Sequence, residues 1–167
     1  MPIPTLETPR LTLRAFEEAD LDAWAAIGTD EEAARFVGGL RSREESWLRM
    51  AAYLGHWELR GYGQWAVVLR DSSRFVGRAG LWNPEGWPEL EVGWTLDRAV
   101  WGNGYATEAG RAAVEWGRSA LGLKRIASVI SVGNTRSIAV AERLGMTFDR
   151  STRLGDGDEV SVYAMSL

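Results

Sequence analysis

The sequence predicts an α+β domain built on a mixed, mostly antiparallel sheet of about seven strands flanked by about four helices. Three observations carry this expectation. The 167 residues hold no internal repeat and no linker-like stretch, which fits a single domain over residues 1–167. Three β-rich runs follow one another across short turn compositions, as antiparallel strands do. Two late segments with helical periodicity each open directly after a strand-like run, a connection that suits parallel neighbours. A chain of this size buries roughly 68–70% of the surface its unfolded form exposes, so no staple is required.

The elements read in order as β-α-α-β-β-β-α-β-α-β-β. Arg10 to Arg14 alternates polar and apolar residues after Pro9, the period of a half-buried strand. From Glu17 to Ile27 the positions Leu21, Trp24, Ala25 and Ile27 fall at helical spacing, with Gly28 as the stop. Asp30 to Phe36 gives a short helical turn. Ser42 with Glu45 forms a capping-box signature for a long helix, with Trp47, Leu48, Ala51, Leu54 and Trp57 as its expected apolar stripe and Gly61 beyond its end. Gln64–Arg70, Phe75–Trp82 and Leu90–Leu96 form the meander. In the next helix Ala106, Gly110, Ala113 and Gly117 make a flat face for close packing on the sheet. Arg125–Val132 is a strand, Asn134 the N-cap of the last helix, and a hairpin around Gly155-Asp-Gly157 closes the chain.

Composition narrows the function classes. With 19 Lys+Arg against 23 Asp+Glu and no basic run, the chain lacks a nucleic-acid footprint. The absence of cysteine excludes disulfides, thiolate metal sites and a Cys nucleophile. No run of 18 apolar residues occurs and the N-terminus lacks a signal-peptide core, so a cytoplasmic protein without a membrane partner is expected. Nine tryptophans exceed what a core of this size needs, and Trp82, Trp87 and Trp94 are candidates to line a pocket.

The most informative stretch runs from Glu91 to Ala109, a strand that breaks at Gly102-Asn-Gly104 and enters a helix. Glycines that free the backbone, followed by a helix N-terminus, form an anion cradle. A dinucleotide site would want a βαβ unit and an acid about 20 residues on, where Lys124 and Arg125 stand. A P-loop would need Gly-Lys-Ser/Thr, which is absent. A phosphate or pyrophosphate ligand reached from an antiparallel sheet remains.

At this point Trp101-Gly-Asn-Gly-Tyr-Ala-Thr-Glu-Ala109, Asn134-Thr-Arg-Ser137 and Ala141-Glu-Arg-Leu-Gly-Met146 resemble the GNAT superfamily of acetyl-CoA-dependent N-acetyltransferases. The opening Thr8-Pro-Arg-Leu-Thr-Leu-Arg14 resembles its RimJ/RimL-like branch, and the likeness covers nearly the whole chain. It implies a sheet that splays beside the central strand to admit acetyl-CoA. Trp94, Thr95 and Leu96 would pair with the pantetheine arm, Gly102, Asn103, Gly104, Tyr105, Ala106 and Thr107 would hold the pyrophosphate, and Asn134 and Ser137 would contact the cofactor arm. No metal is implied. Two positions depart from the family pattern: Trp101 stands where Gln or Arg is usual, and Ala141 where many members place a Tyr general acid.

The implied reaction is direct attack of a primary amine on the thioester in a ternary complex, which needs a base and a donor for the departing sulfur. Glu91 shares a strand face with Gly93 and Thr95 and is the candidate base, while Ser137 is the candidate donor in place of the missing Tyr. His56, the single histidine, sits on an amphipathic helix where packing is the more common role. A weak base suits an α-amine, near ~8, better than a lysine amine, near ~10.4, so a peptide or protein N-terminus is the favoured acceptor. A small-molecule amine such as an amino acid, polyamine or antibiotic, and a non-catalytic acyl-CoA-binding module, are the alternatives. A homodimer through a sheet edge or exposed Trp is compatible with the sequence.

Overall fold

In the computed structural model, which describes residues 2–155 and 157–167, strand follows strand along one open sheet in the order β1-β2-β3-β4-β5-β6-β8-β7. The strands are β1 (Leu6–Glu7), β2 (Leu11–Arg14), β3 (Gln64–Leu69), β4 (Phe75–Trp82), β5 (Glu91–Leu96), β6 (Arg125–Ser131), β7 (Thr147–Arg153) and β8 (Glu159–Ser166). The helices are α1 (Leu21–Thr29), α2 (Glu31–Ala34), α3 (Arg43–Arg60), α4 (Tyr105–Leu121) and α5 (Thr135–Leu144). The described residues thus hold eight strands and five helices against the seven and four expected. The additional strand is the two-residue β1, too short for an alternation to show.

Every neighbouring pair in the sheet is antiparallel except β5 and β6, which touch in register only at Glu91 and Ala127. The connection through α4 therefore makes parallel neighbours, as expected. The connection through α5 does not. β7 lies outside β8, because the closing hairpin lets β8 fold back into the place beside β6. Asp156, within the Gly155-Asp-Gly157 turn read on the sequence, lies outside the described residues.

Two apolar clusters sandwich the sheet. On one face α4 lays Ala109, Gly110, Ala113 and Gly117 against Trp65, Val76, Leu81, Val92 and Ile126. Trp57, Trp65 and Trp116 meet edge-to-face there, with centroids 4.8 to 5.4 Å apart. On the other face α1 and α3 cover Ala66 and Phe75 with Trp24, Ile27, Met50 and Tyr53.

The capping box of α3 forms as read, with Ser42 Oγ accepting from the Glu45 amide and Glu45 accepting from the Ser42 amide. The stripe that α3 buries shares only Trp57 with the one expected. Trp47, Leu48 and Leu54 are exposed, and the packed residues are Ser46, Met50, Tyr53, His56 and Trp57. The face inward is thus partly polar, which a reading by hydrophobicity passes over. Gly28 is likewise inside α1, where a side chain would press on Ser46 Oγ at 3.0 Å, and the helix runs on to Thr29 with Asp30 as its C-cap.

Candidate active site

The slot between β5 and β6 follows from hydrogen-bond alternation. The Asp97 amide donates to Val76 O, so Thr95, Gly93 and Glu91 direct their backbone groups to β4, while Leu90, Val92, Trp94 and Leu96 direct theirs to the other side. Leu90 O takes the Ala127 amide at 3.3 Å. One step further the ladder would join the Val129 amide to Val92, but that amide instead donates to Glu91 Oε2 at 2.7 Å. The Glu91 carboxylate is therefore a wedge that takes the place of the next backbone bond and parts the strands. Beyond it Trp94 and Leu96 face the gap. The Leu96 carbonyl is capped by the Trp101 indole N–H at 2.9 Å, which leaves the Leu96 amide and both Trp94 groups as the free edge. Thr95, grouped with them on the sequence, has its backbone turned to β4 and its hydroxyl on the α1/α3 face beside Arg78.

Glu91 is 6% exposed, and its pKa is pushed up to about 7. Burial is the dominant cause; the Val129 amide, the charge of Arg78 and the nearby Trp87 indole N–H, which falls short of a full hydrogen bond, oppose it. A Cβ at Gly93 would lie 3.7 Å from Glu91 Oε1 and only 2.9 Å from Arg78 Nη1, so the missing side chain lets the Arg78 guanidinium lie over the strand beside Glu91. Trp82 sits opposite Glu91 in register and Trp87 stands beside it. Trp94 does not join them: its indole lies on the α4/α5 face, 3.6 Å from the Cβ position of Gly110, and donates to Ser137 Oγ at 3.3 Å. Since the Ser137 oxygen accepts that bond, its own hydrogen stays free to donate. Asn134 caps α5 by accepting from the Ser137 amide at 3.2 Å.

The glycine turn has an open anion-binding geometry. Gly102 and Gly104 both have φ +80, a left-handed conformation that strains other residues, and a Cβ on Gly102 would meet nothing within 4 Å. Gly104 precedes α4 without any side chain capping its first turn, so the amides of Tyr105, Ala106 and Thr107 face outward unpaired. Asn103 is structural: its side-chain amide donates to Val100 O at 2.9 Å.

Arg10 stands at this turn, a residue the sequence reading did not single out. Thr8 Oγ1 donates to Glu108 Oε1 at 2.6 Å, the Arg10 amide donates to the same oxygen, and Arg10 Nε donates to Glu108 Oε2 at 2.7 Å. Arg10 Nη1 then donates to Asn103 O, and the guanidinium lies 4.6 Å above the Tyr105 ring. Burial opposes ionisation of Glu108, but the Thr8 hydroxyl and the Arg10 groups outweigh it and hold the carboxyl below its usual range. The signal was the Thr8-Pro-Arg10 motif together with the apolar Trp101. Arg10 supplies a cation at the turn where position 101 does not.

His56 is locked away from chemistry. Nδ1 is 2.7 Å from Tyr62 O and must donate to it, and Nε2 accepts from the Asn83 amide at 3.3 Å, which fixes the neutral tautomer with both nitrogens used. The ring is stacked on Trp82 at 4.5 Å. Among the described residues no group of His, Cys, Asp and Glu could hold a metal ion, and no helix is long and apolar enough to cross a membrane. A separate groove of about 510 Å³ between α1 and the Asp97 end of β5 is lined by Arg14, Asp20, Ile27, Phe75 and Asp97, away from Glu91 and the glycine turn.

Residues 10–147 match the acetyltransferase (GNAT) domain. The chain is 30% identical over 158 residues to YkkB of Bacillus subtilis, spanning 89% of this chain and 88% of that one. It is 28% identical over 145 residues to the N-acetyltransferase YoaA of the same organism, covering 85% and 82%. Among solved structures, an acetyltransferase from Agrobacterium tumefaciens superposes with a TM-score of 0.89 at 33% identity, covering 99% of this chain and 95% of that one. RimL, a ribosomal L7/L12 alpha-N-protein acetyltransferase solved with coenzyme A, shares the fold with a TM-score of 0.80 at 19% identity, covering 98% of each chain. The parted strands, the glycine turn and these likenesses agree: the chain belongs to the GNAT acetyltransferases, a family that uses acetyl-CoA, and is an N-acetyltransferase akin in fold to the RimL-like branch.

Proposed function

We propose that this enzyme acetylates a primary α-amine, that of a peptide or protein N-terminus, within a ternary complex of amine and acetyl-CoA in the cytoplasm. Acetyl-CoA, when bound, supplies the thioester that the amine attacks. The residues present fit it: the free edge of Trp94 and Leu96 would pair with the pantetheine arm, and the amides after Gly104, with Arg10 Nη2 beside them, would take the pyrophosphate. Ser137 would donate to the sulfur as it leaves. Asn134 holds that serine in place.

The observation that carries the α-amine reading is the strength of the available base. Glu91, at about 7, removes a proton from an α-ammonium near ~8 at an uphill step of about 1.4 kcal/mol, and from a lysine ammonium near ~10.4 at about 5 kcal/mol. The only histidine has both nitrogens engaged and cannot help. RimL, named for α-N-protein acetylation, supports the reading as an analogy of fold. The test is coenzyme A release with acetyl-CoA and a panel of short peptides, amino acids, polyamines and aminoglycosides. The expected result is a preference of at least about 100-fold in kcat/KM for a free α-amine over a lysine side chain in an N-blocked peptide. Faster turnover of polyamines or of the lysine peptide would refute it.

A further inference from the structure

Seven buried side-chain atoms among the described residues lack a hydrogen-bond partner: Trp24 Nε1, Arg41 Nε and Nη2, Ser46 Oγ, Arg78 Nε, Trp87 Nε1 and Thr95 Oγ1. All belong to the α1/α3 side of the sheet and its continuation past Glu91. Buried polar groups are ordinarily paired, and each exception calls for an explanation. Five of the seven are obligate donors, and the other two are hydroxyls able to donate. The shortage on this face is one of acceptors.

The groups are contiguous. Arg41 is 7% exposed and lies 4.9 Å over the Trp24 ring. The Cβ position of Gly28 is 3.0 Å from Ser46 Oγ and 3.4 Å from Arg41 Nη2. Trp24 packs on Tyr53, and Tyr53 lies under the Arg78 guanidinium at 5.8 Å. Arg78 donates Nη1 to Gln64 Oε1, which is itself anchored through Nε2 to Gly80 O, while Thr95 sits opposite Arg78 in register. Arg78 Nη1 then lies over Gly93, 2.9 Å from the Cβ position there, and Glu91 Oε1 is 3.7 Å from the same point. Neither arginine has a salt-bridge partner among the described residues, although ion pairs are frequent elsewhere on the molecule. Burial and the like charges of Arg49 and Arg78 hold the Arg41 pKa below its ordinary value, against weaker opposition from Tyr53 and Glu45. Arg41, buried, and Arg78, half-buried and within reach of the Glu91 charge, are in no ion pair among the described residues, and their unpaired donors form an anion subsite beside the candidate base.

Resting on the α-amine reading above, we infer that the acceptor carries a carboxylate a few bonds from its reacting amine, and that Arg78 and Arg41 hold that carboxylate while Glu91 faces the amine. The anion has two sources of the same chemistry: the side chain of an N-terminal Asp or Glu in a peptide, or the α-carboxylate of a free amino acid. The arrangement turns the donor surplus into specificity. An acceptor without the anion leaves both guanidinium groups unpaired, and discrimination of this kind is larger than an apolar pocket can provide.

The test compares Asp-Ala-Ala-Ala with Asn-Ala-Ala-Ala, and free aspartate with asparagine, as acceptors. A second readout, independent of turnover, is calorimetric binding of the product N-acetyl-Asp-Ala-Ala-Ala and its Asn analogue to the coenzyme A-saturated protein. The expected result is at least a tenfold preference for the carboxylate in both measurements, about 1.4 kcal/mol. The peptide pair reports a side-chain source and the free pair an α-carboxylate source. Arg78→Gln and Arg41→Met, each checked for an intact fold by its melting transition, should bring the ratio near one. Arg78 is less deeply buried than Arg41, which keeps that variant informative where the Arg41 change fails to fold. Equal affinity for the Asp and Asn products, or a preference that survives Arg78→Gln, overturns the inference. Release of coenzyme A from neutral peptides at the same rate as from acidic ones overturns it too, yet leaves the α-amine reading standing. Product binding that prefers the carboxylate without any turnover would instead count against the enzymatic reading alone.

Discussion

Replacing Glu91 with Gln separates its two roles. The wild-type carboxyl is held at about 7 in the folded state against an ordinary 4.5, because burial disfavours its charge. Since the folded pKa is the higher one, the stability from the protonated form is fully present below about 4.5 and is lost as pH rises through about 7. The loss amounts to about 3 kcal/mol once the group is fully ionised. A glutamine can still accept the Val129 amide bond that the carboxylate holds at 2.7 Å, but it has no charge to bury. Urea unfolding at a series of pH values from 5 to 8 should therefore show the E91Q variant gaining on the wild type by about 3 kcal/mol toward the alkaline end. In the same series, kcat/KM of the wild type should rise through about 7. The variant should lose that limb and keep only the one set by the acceptor amine, with a rate lower by about 10² to 10⁴. Parallel stability curves would refute the buried-charge argument. An unchanged limb at near-normal rate would leave Glu91 as a strand wedge with no part in proton transfer.

The other expectations concern the cofactor side. Gly104→Val forces a side chain onto φ +80 at the mouth of the turn, so the thermal shift given by saturating acetyl-CoA, about 2.7 kcal/mol at ~100 times Kd, should vanish; a retained shift means the phosphates lie elsewhere. Arg10→Ala should raise KM for acetyl-CoA about tenfold, with the gap to wild type narrowing at high salt, and an unchanged KM removes Arg10 from the phosphate site. Ser137→Ala should lower kcat by about 10² with little change in KM, whereas a purely structural serine would show itself in the melting temperature alone.

The fold was legible where periodicity is long. The meander β3–β5, the flat face of α4 and the caps at Ser42 and Asn134 all follow from patterns within one element. The two-residue β1 and the place of β8 between β6 and β7 depend on pairing between segments far apart, which local pattern does not encode. The buried stripe of α3 was misread because Ser46 and His56 face inward, on the side of the unpaired arginines, while Trp47 and Leu48 face out. Arg10 is held at the glycine turn by partners far along the chain, Asn103 O and the Glu108 carboxylate, the latter 98 residues later. Arg78 had a local signal: it shares the two-residue period of Gly80 and Trp82, the face that pairs with Glu91, Gly93 and Thr95. The wedge bond from Val129 to Glu91 is a different case, since nothing at either position predicts that a side chain will replace a ladder bond.

The proposed function comes down to which nitrogen is acetylated. Mass spectrometry of a peptide bearing both a free α-amine and an internal lysine, after reaction with acetyl-CoA, reads this directly. The account predicts one added acetyl group, located on the N-terminal residue by fragmentation, and none when that amine is blocked beforehand. Acetylation of the lysine, or of the blocked peptide at an equal rate, would contradict it.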